Sequence, residues 1–249
     1  MDAVHAVILA AGKGTRMKSD LAKVLHTLAG RPLLSHVLDA LAPLEPTRTV
    51  VVVGHQADRV RELCTAPGIE TVIQAEQLGT GHAVEQAKGV LEHESGRTLI
   101  LCGDVPLIRT ETLRALVEGS TAQGARAAVL SAMAEDATGY GRILRDEAGQ
   151  VVGIVEQKDA TEEQREIREY NTGTYCFDNA LLWPALRRLD QQNAQGEFYL
   201  TDVIEILVRD GHRVEGVVCA DEREVQGVNT VDDLERAAAD REDLRRERA

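Results

Sequence analysis

Short β-branched apolar runs recur through the first hundred residues, at Val4–Leu9, Thr49–Val53, Glu70–Ile73 and Thr98–Leu101. Runs of this length bounded by polar or small residues predict strands, whereas Leu33, Leu34, Val37, Leu38 and Leu41 have the spacing that fills one face of a helix. Strand and helix alternate, which implies parallel pairing, and a stretch such as Val50-Val51-Val52-Val53 implies burial on both faces. The pattern therefore predicts an α/β, Rossmann-like fold: a mainly parallel open sheet with helices on both faces. After Ala125 the rhythm changes. Apolar runs at Ala127–Leu130, Arg142–Leu144, Val151–Val155 and Thr172–Phe177 follow with little helix between most of them and predict a smaller antiparallel lobe beside the main sheet. Helices are expected at Asn179–Leu189 and Thr201–Arg209, and a last strand at Arg213–Val218. From Val231 to Arg248 the charged tail keeps helical spacing, with Thr230 and Asp233 as a capping pair, and reads as a solvated surface helix.

Composition narrows the function classes. A chain of 249 residues that is 43% hydrophobic can bury a sizeable core, and no internal repeat or low-complexity linker divides it. Its formal charge of -13 repels nucleic acid and anionic lipid, so neither partner is expected, and a polyphosphate ligand would need a locally basic pocket. Cys64, Cys102, Cys176 and Cys219 are widely spaced, form no C-x-x-C pair and read as buried free thiols in a reducing cytoplasm. The apolar stretch Ala3–Ala11 follows Asp2 rather than a basic segment and is too short for a signal peptide. No stretch approaches the roughly 20 apolar residues of a membrane span. No protein partner is predicted.

The first strand runs directly into Ala10-Ala11-Gly12-Lys13-Gly14-Thr15-Arg16-Met17. Open α/β sheets bind ligands at the carboxyl ends of their strands, and glycines let backbone N–H groups approach phosphate oxygens. Lys13, Arg16 and Lys23 add positive charge there. Two familiar phosphate motifs fail on spacing. A P-loop with Gly12-Lys13 as its G-K pair needs glycine at position 7 and Ser or Thr at 14, where Val7 and Gly14 stand. A dinucleotide fingerprint from Gly12 needs glycine where Met17 stands and an acidic residue after the second strand, where Gly54-His55 stand.

Leu9–Met17 followed by Lys23-Val24-Leu25 resembles the opening signature of the nucleoside-diphosphate-sugar pyrophosphorylases. Further blocks resemble the uridyltransferase domains of bacterial N-acetylglucosamine-1-phosphate uridyltransferases: Gln74–Ala83, Gly103–Leu107, Thr138–Ile143, Ile154–Glu156, Asn171–Gly173, Tyr199–Asp202 and Gly227–Asn229. The resemblance covers about Val4 to Leu234, with every block in order.

That resemblance implies transfer of UMP from UTP to N-acetylglucosamine 1-phosphate, giving UDP-N-acetylglucosamine, a precursor for peptidoglycan, and pyrophosphate. It implies a Mg²⁺ ion held by Asp104 and Asn229, with Arg16 and Lys23 as catalytic cations on the triphosphate. Uracil and the nucleotide would be read by Leu9, Ala11, Gly12, Gly14, Gln74 and Gln77, with Gly79 and Thr80 closing the pocket. The sugar would meet Gly141 through its backbone, Glu156 through its hydroxyls, and Asn171 and Thr201 near the acetamido and phosphate end. The chemistry needs no covalent nucleophile, because a sugar phosphate is already an ionised one, so His55 and His82 are expected to be structural hydrogen-bonders. Residues 1–230 would form the uridyltransferase domain and 231–249 a linker-like charged helix. The family's left-handed β-helix acetyltransferase domain has no counterpart repeats in this chain, so no acetyl transfer is expected. The family commonly has proline before the catalytic lysine, where Ala22 stands here. Transfer to another hexose 1-phosphate, a non-catalytic nucleotide-sugar-binding role and, more distantly, an oxidoreductase stay open at this stage.

Overall fold

The computed structural model describes residues 2–247. Among the described residues the strands are β1 (Val4–Ala10), β2 (Thr27–Leu28), β3 (Arg31–Pro32), β4 (Arg48–Val53), β5 (Ile69–Ile73), β6 (Arg97–Cys102), β7 (Ala127–Met133), β8 (Arg142–Arg145), β9 (Val151–Val155), β10 (Glu169–Asp178) and β11 (Val214–Val218). The α-helices are α1 (Leu33–Leu41), α2 (Ala57–Arg61), α3 (Thr80–Glu85), α4 (Lys88–Leu91), α5 (Thr110–Gly119), α6 (Glu162–Arg165), α7 (Asn179–Leu186), α8 (Asp202–Arg209) and α9 (Val231–Arg246). Arg248, the last residue of the expected tail helix, lies outside the described residues.

The main sheet has the order β11-β7-β10-β6-β1-β4-β5. β6, β1, β4 and β5 are parallel, β11 is parallel to β7, and β10 alone runs against its neighbours β6 and β7. Alternate residues of each strand feed opposite layers. Ala6 and Ile8, with Val51, Leu99 and Leu101, pack on Val37 of α1 and Leu113 and Leu116 of α5. Val7, Val50, Val52 and Ile100 pack on Val84 and Leu91 of α3 and α4 and on Leu182, Trp183 and Ile204 of α7 and α8. Two-sided burial explains why these strands read as unbroken apolar runs, and Trp183 is core, as its helical setting predicts.

The antiparallel lobe is smaller than the four runs predict. Only β8 and β9 form it, as a hairpin attached to the start of β10 through the pair Tyr170–Arg142. The runs at Ala127 and Thr172 belong to the main sheet, because β10 pairs with β7 from Glu169 to Phe177, with a bulge between Asn171 and Thr174, while its other edge meets β8 at Tyr170 and β6 from Tyr175. Alternating apolar residues cannot distinguish these memberships, since a strand in a lobe and a strand in a sheet have the same period.

Helix α9 begins with the expected capping box, Thr230 accepting from the Asp233 amide and Asp233 accepting from the Thr230 amide. It is largely exposed, yet Ala237 packs with Met17, Leu28, Leu33 and Val228 in a small third cluster against the first loop. Among the described residues no helix is long and apolar enough to cross a membrane. Cys64, Cys176 and Cys219 are buried free thiols, whereas Cys102, expected to be buried, is only half-covered at the end of β6.

Asn179 joins the layers at the amino end of α7. It is fully buried, accepts from Thr98 and Trp183 at 2.7 and 3.0 Å, and donates to the carbonyls of Leu91 and Glu94 at 2.6 and 2.7 Å. Leucine at this position leaves those partners buried and unsatisfied. Asn179→Leu should destabilise the fold by about 3 kcal/mol, lowering the melting midpoint by about 6–12 °C, as calorimetry would measure.

Candidate active site

Strand order reverses direction at β1, with β4 on one side and β6 on the other, so the crevice at the carboxyl ends of β1 and β6 is the topological switch point. The loop after β1 and the turn after β6 meet there. The Gly103 amide donates to the Leu9 carbonyl at 2.9 Å, which brings Asp104 alongside the first loop. Gly14, at φ +67°, has Lys23 so close that a Cβ would lie 2.8 Å from the lysine Cβ; only glycine permits this approach.

Arg16, Lys23, Asp104 and Asn229 come together in one cluster. The Lys23 ammonium donates to Asp104 and, at 3.1 Å, to Asn229 Oδ1, which also accepts from Arg16 at 2.9 Å. Asn229 is free for this because Thr230 caps α9. Fixed cations and oxygen donors thus share one point beside the glycine loop. Lys13 and Arg16 are both exposed, whereas Lys23 and Asp104 are partly withdrawn from water.

The departure at Ala22 has a structural counterpart. Its amide donates to Gln56 Oε1 at 3.1 Å, and Gln56 in turn donates to the Asp20 carbonyl at 3.0 Å. A proline has no amide hydrogen and could not make this bond, so a side-chain clamp secures the loop ahead of Lys23.

Next to the cluster lies a cavity of about 330 Å³ lined by Leu9, Ala11, Gly12, Gln74, Gln77, Gly79 and Thr80, with Lys23 and Asp104 at its rim. The space above Gly12 is open. Gln77 Nε2 donates to the Ala11 carbonyl at 2.8 Å, and Gln74 Nε2 donates to the Gly79 carbonyl and to His82 Nδ1 at 3.1 and 3.2 Å. His82 therefore orients a glutamine, and His55 bonds the Asp20 carbonyl. Both act as structural hydrogen-bonders.

Among the polar and thiol-bearing residues on this cavity's wall, sequence reasoning missed two, Glu197 and the partly buried Cys102. Glu197 directly precedes Phe198, whose carbonyl accepts from the Gly81 amide and whose amide donates to the Leu78 carbonyl, both at 2.8 Å. Long-range backbone pairing of this kind leaves no local signal in the chain. Burial pushes the Cys102 thiol up to about 12, too high for a thiolate nucleophile.

Of the residues that the resemblance assigns to the sugar, none lines this cavity. The Thr201 hydroxyl donates to Glu156 Oε1 at 3.1 Å, the Gly141 carbonyl accepts from the Asn171 amide at 2.9 Å, and the Asn171 side chain donates to the Tyr175 hydroxyl at 2.7 Å. Glu156 instead borders a neighbouring acidic cavity of about 550 Å³ with Asp159 and Asp202. Burial raises the Glu156 carboxyl above its ordinary range, with Asp159 and Glu197 adding to the effect. The cation cluster and the 330 Å³ cavity are thus contiguous, while the Glu156–Thr201 pair stands to one side, joined to them through the 197–201 segment.

The geometry can bind a polyphosphate at the cluster and a planar hydrogen-bonding group over Gly12. These are features of a nucleotidyltransferase fold, and the chain belongs to the MobA-like NTP transferase domain family, which it matches over residues 6–206. Members of that family generally use a divalent metal. More particularly, the chain is similar to the bifunctional protein GlmU of Exiguobacterium sibiricum, with 53% identity over 224 residues, covering 90% of this chain and 50% of that protein. It is 51% identical to the bifunctional protein GlmU of Enterococcus faecalis over 229 residues, covering 92% of this chain and 50% of the relative. With the protein of the same name from Brevibacillus brevis, identity is 51% over 239 residues, covering 96% and 52% of the two chains. The chain spans about half the length of these curated relatives.

Asp202, on the first turn of α8, carries a pH dependence. Burial, then Glu205, Asp190, Glu156 and Asp159, raise its carboxyl from 3.8 to about 6. Its ionised form therefore opposes folding above pH about 6; the opposition fades as pH falls toward 3.8 and is absent below that. Asp202→Asn should raise the melting midpoint at pH 8 by about 2–4 °C, the screened equivalent of about 1 kcal/mol. Melting curves recorded below pH about 4 should coincide for the two proteins.

Proposed function

We propose that the chain transfers UMP from UTP to N-acetylglucosamine 1-phosphate, forming UDP-N-acetylglucosamine and releasing pyrophosphate. The observation that carries this reading is the meeting of Arg16, Lys23, Asp104 and Asn229 at one point beside the cavity bordered by Gln74 and Gln77. The similarity to GlmU proteins over nine-tenths of the chain supports the choice of uridine and of N-acetylglucosamine.

Mg²⁺ fits the oxygen pair. Asp104 and Asn229 offer hard donors that already share one cation, the Lys23 ammonium, and their side chains approach each other over Gly227, where a Cβ would lie 3.5 Å from Asp104 Oδ2 and 3.4 Å from Asn229 Nδ2. Among the described residues no group of three or more His, Cys, Asp or Glu could hold a metal, so phosphate oxygens and water would complete the shell. Bound there, the ion supplies neutralisation of the phosphates during in-line displacement.

The residues of the chain do the positioning. Backbone groups around Gly12 and the amides of Gln74 and Gln77 hold the uracil, for which amide donors and acceptors are a chemical match. Arg16 and Lys23 exchange their present partners for phosphate oxygens and stabilise the charge that gathers on pyrophosphate as it leaves. The sugar phosphate needs no general base, which agrees with the structural roles of His55 and His82. Glu156 and Thr201, presently bonded to each other, offer an acceptor and a donor to sugar hydroxyls.

Pyrophosphate release from UTP, assayed with a panel of sugar 1-phosphates and Mg²⁺, tests the reading. N-acetylglucosamine 1-phosphate should be the best acceptor; equal or better use of glucose 1-phosphate overturns the sugar assignment, and no release with any acceptor overturns the activity. Asp104→Ala should reduce kcat at least 100-fold with the melting midpoint retained, as should chelation of divalent metal in the native chain. Arg16→Ala should lower kcat by about 10²-fold, the usual cost of one transition-state charge partner.

A further inference from the structure

Gln226 stands three positions before Asn229 and is gripped by two tyrosines from the sugar side of the site. The Tyr140 hydroxyl donates to its Oε1 and its Nε2 donates to the Tyr170 hydroxyl, each at 3.2 Å. The two rings pack on one another with centroids 4.6 Å apart, and Tyr170 is fully buried. Both ends of the Gln226 amide are therefore occupied by one closely packed pair of rings, tilted 42° to each other.

What the tyrosines adjoin gives this grip its consequence. Tyr140 directly precedes Gly141, and Tyr170, the residue of β10 that pairs with the hairpin, directly precedes Asn171 at the bulge. The Asn171 amide donates to the Gly141 carbonyl at 2.9 Å, which ties the two sugar-side residues to each other. On the other side of Gln226, Gly227 passes beneath the side chains of Asp104 and Asn229, and the Val228 amide donates to the Asp104 carbonyl at 2.9 Å. The start of the same loop is fixed separately, Glu224 accepting from Arg109 and Thr112. With that end anchored, a shift at Gly141 or Asn171 reaches the oxygen pair through Gln226.

We infer that Gln226 is a positioning residue that couples occupancy of the sugar side to the Asp104–Asn229 oxygen pair, so that sugar nucleotide and divalent cation tighten each other's binding. The identity of the two ligands rests on the uridylyltransferase reading above. Coupling of this kind is reciprocal and is measured as a ratio of affinities.

The experiment is titration calorimetry of UDP-N-acetylglucosamine into the native chain, Gln226→Leu and Gln226→Glu, with and without Mg²⁺. In the native chain the ratio of the two Kd values contains a direct part, cation on diphosphate, and a part carried by the loop. Gln226→Leu keeps the bulk and loses both hydrogen bonds, and should reduce the ratio at least threefold. Gln226→Glu keeps two oxygens that can accept from both tyrosine hydroxyls and should restore it. An unchanged ratio in Gln226→Leu, or an equal reduction in Gln226→Glu, overturns the inference, because a loss of general stability has no reason to respect that distinction. If Gln226→Leu does not fold, Tyr140→Phe, which removes one of the two bonds, takes its place with the same expectation. The readout needs no turnover: a native chain that binds the sugar nucleotide but releases no pyrophosphate overturns the activity proposed above and leaves this comparison decisive, and one that does not bind it overturns both.

Discussion

A single ammonium group ties together segments that are 81 and 206 positions apart in the chain. Lys23 reaches from the loop after β1 to Asp104 after β6 and to Asn229 ahead of α9, and with it the candidate site closes. The attraction is useful only because the surroundings are partly withdrawn from water: the two charged side chains of the pair are 19% and 13% exposed, so the interaction is far less screened than between groups on the open surface. In an acidic chain of net charge -13, such local pairing is what keeps a phosphate-sized region from being uniformly repulsive. The fold serves this contact. The parallel strands β1 and β6 deliver two of the segments to one edge of the sheet, the Val228 amide bonded to the Asp104 carbonyl holds the third beside them, and the capping box of α9 leaves the asparagine side chain unengaged by its helix.

The layered core makes that edge rigid. Every central strand is buried on both faces, so the loops at the carboxyl ends leave a platform that packing has already fixed. Positioning chemistry depends on this more than on any reactive side chain. Three cysteines are held among apolar neighbours and the fourth is raised out of the reactive range, and the two histidines near the pocket bond backbone or a glutamine. What remains at the site is a set of fixed charges, amides and backbone groups, which is the equipment that moving a phosphoryl-linked nucleotide calls for.

Much of this was legible in the residues. The unbroken valines of β4 announced two-sided burial, the loop after β1 announced a ligand edge, and Thr230 with Asp233 announced the start of α9. Less legible was anything that depends on one strand belonging to two units. Nothing in the alternation of Thr172–Phe177 says that β10 enters the main sheet, or that Tyr170 will have Ala132 on one side and Arg142 on the other. The company of Arg16, Lys23, Asp104 and Asn229 followed from family resemblance and not from spacing, since ion pairs between distant segments have no periodic signature. Glu197 was passed over for the same reason: its place on the cavity wall comes from backbone bonds between residues 78–81 and 198.

The clamp at Ala22 bears on how this loop can change over evolutionary time. An amide hydrogen at position 22 and an acceptor at position 56 form a matched lock, and a ring in place of the alanine would discard the first half and leave Gln56 to Arg59 and the Asp20 carbonyl. A ring at position 22 would supply stiffness by itself, so the step from the hydrogen-bonded to the covalent solution needs one substitution, and that step releases position 56 from a constraint set 34 places earlier in the chain.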